Sequence, residues 1–255
     1  MSSKEKDPHF RRLNELFNSK QRQTEREKAK RQPSKLIPPP LPRTDLTEDQ
    51  VAEAMKEIEE QRWKYHIGEC IALRNLPAEY RKIDIADAKL LPDEAKQGYQ
   101  RVAKSLLRML ELKSSVIGLI GPRGNGKTHL AAGLINEFVK QGKPARYTKF
   151  TQMLIDIRET WRPDSHRTTT QAINTFVAPI LLVIDEGQER SFTDNEQIWI
   201  TDIVDRRYAE GRNTLLISNQ NEEAFAANVG ESVVSRIRHR GGLIQTDWMD
   251  LREIL

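Results

Sequence analysis

The sequence predicts an α/β fold: a central parallel sheet with helices on both faces, preceded by a small helical module and a basic flexible arm. Three observations carry this. Short apolar runs at Val116–Ile120, Ile180–Ile184 and Thr214–Ser218 alternate with stretches of helical periodicity, and strands apolar on both faces belong to parallel sheets flanked by helices. A glycine-rich turn, Gly121–Thr128, joins the first run to a helix. The excess basic charge is confined to the N-terminal stretch.

The chain has 255 residues, with 41 Lys and Arg against 37 Asp and Glu, 37% apolar residues and a single cysteine, Cys70. One main domain with a core of roughly 150–200 residues is expected, with chain left for an arm or a small module. No apolar run approaches the ~20 residues that span a bilayer, and MSSKEKDPHF lacks a signal peptide's apolar stretch, so a cytoplasmic protein without membrane contact is expected. A lone cysteine excludes an internal disulfide and a multi-cysteine zinc site.

Residues 1–43 hold twelve Lys or Arg and five Asp or Glu, a balance of +7 against +4 for the whole chain, which leaves −3 on the rest. This stretch also holds six of the twelve prolines. With few apolar residues it gains too little from burial to offset the entropy of ordering, and it reads as a flexible arm. The arm serves either solubility or the binding of a nucleic acid or partner. Phe10, Leu13, Leu16 and Phe17 have the spacing of a short docking helix.

Residues 44–75 form the helical module. Thr-Glu-Asp-Gln at 47–50 fits a capping box, and Val51, Met55 and Ile58 form one stripe. Arg62 interrupts it, while Trp63, Ile67, Cys70 and Ile71 continue on a shifted face, as in a kinked helix or two helices. His66 and Cys70 are assigned to packing, because two ligands do not make a metal site. Met55, Ile58, Trp63 and Ile67 have little of their own module to pack against. They are covered either by a partner or by the main domain.

The main domain spans residues 76–255. Pro92 opens a helix with Ala95, Tyr99, Val102, Leu106 and Leu110 on one side. Val116–Ile120 is the first strand, followed by a helix from Lys127 to Gln141, a strand over Arg146–Lys149 and a helix through Leu154 to Trp161. The run Ile180–Ile184, a helix carrying Ile198, Ile203 and Val204, the run Thr214–Ser218 and helical signals over Val233–Arg238 complete the reading.

Gly121-Pro122-Arg123-Gly124-Asn125-Gly126-Lys127-Thr128 fits G-x-x-x-x-G-K-[ST] between an apolar strand and an amphipathic helix, the context that motif requires. Its glycines let the backbone curl so that N–H groups face phosphate oxygens, with the helix N-terminus adding partial positive charge. Lys127 then neutralises the β- and γ-phosphates of ATP, and the Thr128 hydroxyl binds Mg²⁺. In Leu181-Leu-Val-Ile-Asp-Glu186 two carboxylates emerge at a strand's C-terminal end, where open parallel sheets bind ligands. Asp185 is assigned to the Mg²⁺ shell and Glu186 to orienting and activating the attacking water. Asn219, after Leu215-Leu-Ile-Ser, is a turn residue or, beside the two nucleotide motifs, a donor to that water or the γ-phosphate. Arg236, Arg238 and Arg240 form a solvated helix face or supply an arginine to a neighbouring subunit's γ-phosphate.

In this order and spacing, GPRGNGKT, LLVIDE, LLISN and ESVVSRIRHRGG resemble the AAA+ ATPases and, within them, the DnaC family of bacterial and phage replicative-helicase loaders. The likeness covers roughly residues 76–255 and extends to HLAAGLINEFVKQGK, IVDRRYAEGRNT and SNQNEEAFAANVGESVVSRIR. It implies an AAA+ P-loop ATPase fold in which Asn219 is sensor 1, Arg236 the arginine finger and Arg252, in DWMDLRE, a sensor-2 arginine at the nucleotide. It further implies ATP hydrolysis with Mg²⁺ and self-association through the ATP sites into a ring or spiral, expected to be a hexamer. Such an assembly grips single-stranded DNA while an N-terminal extension holds the hexameric replicative helicase that is loaded at replication initiation. In the matching DNA-facing segment, Ile157–Trp161, Arg158 suits a phosphate and Trp161 a base, unless Trp161 caps the core. About 19 residues follow Arg236, too few for the helical lid of most AAA+ proteins, as in loaders of this type. Two rival functions are an IstB-type ATPase that assists a transposase on duplex DNA, and a nucleotide latch without turnover.

Overall fold

The computed structural model describes residues 48–88, 91–186 and 192–252. The arm at 1–43, its Phe10–Phe17 spacing and the Thr47 cap lie outside them. The chain divides into two compact units, Met1–Arg62 and Trp63–Leu255. Helix α1, Glu48–Leu73, is continuous through Arg62, where the sequence left room for a kink. A polar residue in an apolar stripe changes which face is buried, and no proline interrupts the backbone.

In the second unit five strands form one parallel sheet: β1 Val116–Ile120, β2 Ala145–Lys149, β3 Leu181–Asp185, β4 Asn213–Ser218 and β5 Gly241–Gln245, in the order β2-β3-β4-β1-β5. Because side chains alternate across a strand, each inner strand feeds two cores. Ile117, Leu119, Leu181, Val183, Leu215 and Ile217 pack with helices α2, Asp93–Leu107, and α3, Lys127–Lys140. Ile120, Leu182, Ile184 and Leu216 pack under the helices of the opposite face. Those are α4 Phe150–Arg158, α5 Thr169–Val177, α6 Asp194–Ala209, α7 Glu222–Val229 and α8 Glu231–Arg240.

The second half of α1 joins the first of these cores. Cys70 is buried in it, and His66 Nε2 donates to the Gly142 carbonyl at 2.7 Å, where a Cβ on Gly142 would meet the Trp63 ring at 2.5 Å. Of the alternatives open for this module, residues from Trp63 to Cys70 thus find part of their cover on the main domain. Met55 and Trp63 each remain 45% exposed.

Three elements went unread in the sequence: α5, α7 and β5. Helix α5 starts on a capping box between Thr168 and Gln171, and Asn221 caps α7 by accepting from Ala224 N at 2.9 Å. One charged residue belongs wholly to the core. Arg207 of α6 is fully buried and donates to the carbonyls of Phe176, Val177, Pro179, Ile180 and Asn213 and to Thr214 Oγ1. Burial lowers its pKa well below the ordinary arginine value. Among the described residues no helix is long and apolar enough to cross a membrane.

Candidate nucleotide site

The register brings the sequence motifs to one sheet edge. Ile120 pairs with Ser218, and Asp185 pairs with Ile217, so the turn after β1, the acids ending β3 and Asn219 after β4 all lie at the carboxyl ends of adjacent strands. From β1 the chain passes to β2 on one side of the sheet, while β5 returns to the other. This reversal of strand order is where open α/β sheets leave a crevice for ligand.

Gly121, Gly124 and Gly126 all have positive φ, at 142°, 85° and 81°. Gly121 and Gly124 are also sites of close approach. A Cβ would fall 2.2 Å from the Thr246 carbonyl at Gly121 and 2.1 Å from Asp250 Oδ1 at Gly124. The segment after β5 therefore packs directly on the phosphate loop. Asn125 Nδ2 donates to Thr246 O at 3.0 Å and to its Oγ1 at 2.7 Å. Trp248 Nε1 donates to Asn125 O at 2.8 Å, and Leu251 N donates to Gly124 O at 2.8 Å. Thr246, Trp248 and Leu251 were not singled out in the sequence, because a loop's buttress carries no motif of its own.

Lys127 lies at the base of this loop, buried, with Nζ donating to Gly121 O at 2.8 Å, Pro122 O at 2.6 Å and Asn125 Oδ1 at 3.1 Å. Desolvation is the largest cause that holds its pKa down to about 8, opposed by Asp185 and reinforced by the Arg252 charge. Arg123 is exposed on the loop. The Thr128 hydroxyl donates to Asp185 Oδ2 at 2.9 Å, and the Tyr147 hydroxyl donates to the same oxygen at 3.0 Å. Burial first, then the Asp185 charge, raises the Tyr147 phenol far above its ordinary range, so it stays a donor. A hydroxyl and a carboxylate converging beside the phosphate loop are hard oxygen ligands of the kind Mg²⁺ takes, and the donor set fits that ion.

Glu186 follows Asp185, buried, with its backbone N–H on Ile217 O at 2.9 Å. Its Oε1 accepts from Asn228 Nδ2 at 2.9 Å. Asn219 is half-buried just past β4. Arg252 is exposed at the end of the buttressing segment, with Nη1 3.6 Å from Asp250 Oδ2.

Two sets of candidate residues are engaged outside this cluster. Arg236 on α8 donates from Nε to Asp205 Oδ1 at 3.1 Å, and its guanidinium lies 5.0 Å from the Tyr208 ring centroid. Arg158, ending α4, pairs with Glu196 at 3.2 Å and lies 5.8 Å from the Trp199 ring centroid. Trp161 is 61% exposed and meets Trp199 edge-on at 5.5 Å. It does not cap the core.

A parallel sheet in the order β2-β3-β4-β1-β5, with a phosphate loop after β1 and paired acids ending β3, has the P-loop fold of the AAA+ type. Residues 57–251 match the family described as IstB-like ATP binding protein, and the chain belongs to that family. It is similar to the replicative helicase loader DnaC of Escherichia coli strain K12, 34% identical over 118 residues, which are 46% of this chain and 48% of that protein. The chain thus spans about half the length of the curated relatives it matches. Two solved structures share the fold. A DnaC helicase loader has a TM-score of 0.56 at 17% identity, covering 67% of this chain and all (100%) of that one. The replication initiator DnaA bound to AMPPCP and single-stranded DNA has a TM-score of 0.55 at 22% identity, covering 69% and 52%.

Proposed function

We propose that the protein is a cytoplasmic, ATP-driven loader that places a hexameric replicative helicase on single-stranded DNA during replication initiation. The observation that carries the ATPase part is the convergence of Lys127, Thr128, Asp185 and Glu186 at one sheet edge, with Thr128 and Asp185 bonded at 2.9 Å. Kinship with DnaC loaders supports the helicase part.

In this reading the loop from Gly121 to Gly126 turns its N–H groups to the phosphates of ATP. Lys127 exchanges its loop carbonyls for phosphate oxygens, and Arg252 reaches the nucleotide from the buttressing segment. Thr128 and Asp185 would hold Mg²⁺, which would supply charge to offset that on the phosphates. Glu186 accepts the proton of the attacking water and Asn219 orients it. Arg236 acts on the ATP of a neighbouring subunit in a ring or spiral, the expected hexamer. An exposed Trp161 beside Arg158 supports sequence-neutral stacking and phosphate pairing on a single strand. Residues 1–75 supply the helicase contact.

A second reading keeps the same ATP site, as an IstB-type ATPase that assists a transposase. One assay separates the two: transfer of helicase onto single-stranded DNA by the wild type, Lys127→Ala and Glu186→Gln. The wild type should load with ATP, Lys127→Ala should bind no ATP, and Glu186→Gln should bind ATP and stall. Preference for duplex DNA with no helicase capture would replace the loader reading by the second.

A further inference from the structure

We propose that Asn228 is a positioning residue for Glu186 and that, through Gln220, it ties the setting of Glu186 to the turn after β4. The inference rests on the reading of Glu186 as the base of ATP hydrolysis.

Asn228 lies in the last turn of α7, 42 residues after Glu186, and is only 4% exposed. Its amide donates to Glu186 Oε1 at 2.9 Å and to Gln220 Oε1 at 2.8 Å, while Oδ1 accepts from Phe192 N at 3.0 Å. These partners fix the orientation of the amide. Rotated by half a turn, its carbonyl would face the Glu186 carboxylate and its amine would face a backbone N–H. An amide held this way has one arrangement, and so does the Glu186 oxygen it holds.

The chemistry suits an uncharged donor. An amide N–H can hold the Glu186 oxygen, whereas a carboxylate at the same place would have no proton to donate to it. The direction of coupling follows from the chain. Gln220 adjoins Asn219, the amide proposed to orient the water, and its own N–H is held by Ser218 Oγ at 3.1 Å. A shift of Asn219 on meeting the γ-phosphate therefore passes through Gln220 and Asn228 to Glu186.

The test is steady-state turnover, with ATP affinity measured separately, on full-length Asn228→Asp, Asn228→Ala, Glu186→Gln and the Asn228→Ala/Glu186→Gln double variant. Asn228→Asp should bind ATP within about twofold of wild type while its kcat falls by roughly tenfold or more, because a carboxylate cannot donate to Glu186. A folded Asn228→Asp with the wild-type kcat would overturn the proposal. If that variant does not fold, Asn228→Ala decides. It should lower kcat at least tenfold at unchanged KM when Glu186 is present, and have no further effect on the residual turnover of Glu186→Gln. No loss, or equal losses in both backgrounds, would overturn the positioning role. Wild-type turnover by Glu186→Gln itself would remove the base assignment, a failure distinct from that of Asn228.

Discussion

Lys127 donates to three acceptors of its own loop, and burial holds its pKa near 8 instead of 10.5. Between those values the unfolded chain binds more protons at this group than the folded one, so its contribution makes stability rise with pH across that window. ATP has the opposite preference, because phosphates favour the ammonium. Binding above pH 8 must then take up a proton, and ATP affinity should fall with increasing pH, by up to about tenfold per unit. Equilibrium titrations from pH 7 to 9.5 check this, and a flat affinity would contradict it. Trp161 behaves differently because it is exposed. Trp161→Ala should leave the melting temperature unchanged and weaken single-stranded DNA binding by about 1–3 kcal/mol. Lost thermal stability with unchanged DNA affinity would return Trp161 to a packing role. The phosphate-loop residues were legible because backbone chemistry demands their types and spacing. Tyr147, Asn228 and Thr246 were not, because each acts through a contact between segments distant in the chain.

Among the elements, β1, β3 and β4 were legible as apolar runs because the interior of a parallel sheet leaves no polar face. Edge strand β5 begins Gly241-Gly242, a pair without the side chains that mark a strand. Gly241 is there because its backbone passes so close to β1 that a Cβ would fall 1.7 Å from the Val116 carbonyl oxygen. The cap of α5 stands among further threonines that read equally well as caps. Arg207, in a run of charges, looks solvated in sequence, yet it is the side chain that ties the α5–β3 connection to the start of β4. Arg207→Leu would leave several buried carbonyls without donors. It should cost about 3 kcal/mol or more, a drop of roughly 10 °C in melting temperature. A calorimetric scan showing a native-like transition would refute that account.

At the scale of the molecule, Arg236 pairs with Asp205 and Tyr208 of its own chain, and the proposed action on a neighbour's ATP can be tested directly. Arg236→Ala should keep ATP binding and lose assembly-dependent turnover, by an amount approaching the ~10³-fold typical of arginine fingers. Mixing it with Lys127→Ala subunits should restore activity, since an intact phosphate loop then meets an intact Arg236. No recovery in mixtures would argue against a trans role. Removal of residues 1–62 should give a folded ATP binder that no longer captures helicase. The cut belongs before Trp63, because one at 75 would also strip Cys70 from the core. Undiminished capture would move the helicase contact into the ATPase domain.

Trp248 gives the phosphate loop an optical voice. Its indole N–H is bonded to Asn125 O, and its ring lies 6.3 Å from that of Tyr99. Any rearrangement of the loop around phosphates alters that hydrogen bond, and with it the emission of the indole. Intrinsic fluorescence should therefore follow nucleotide occupancy in the unlabelled protein. The signal should survive replacement of Trp63, Trp161 and Trp199 by phenylalanine and vanish in Trp248→Phe.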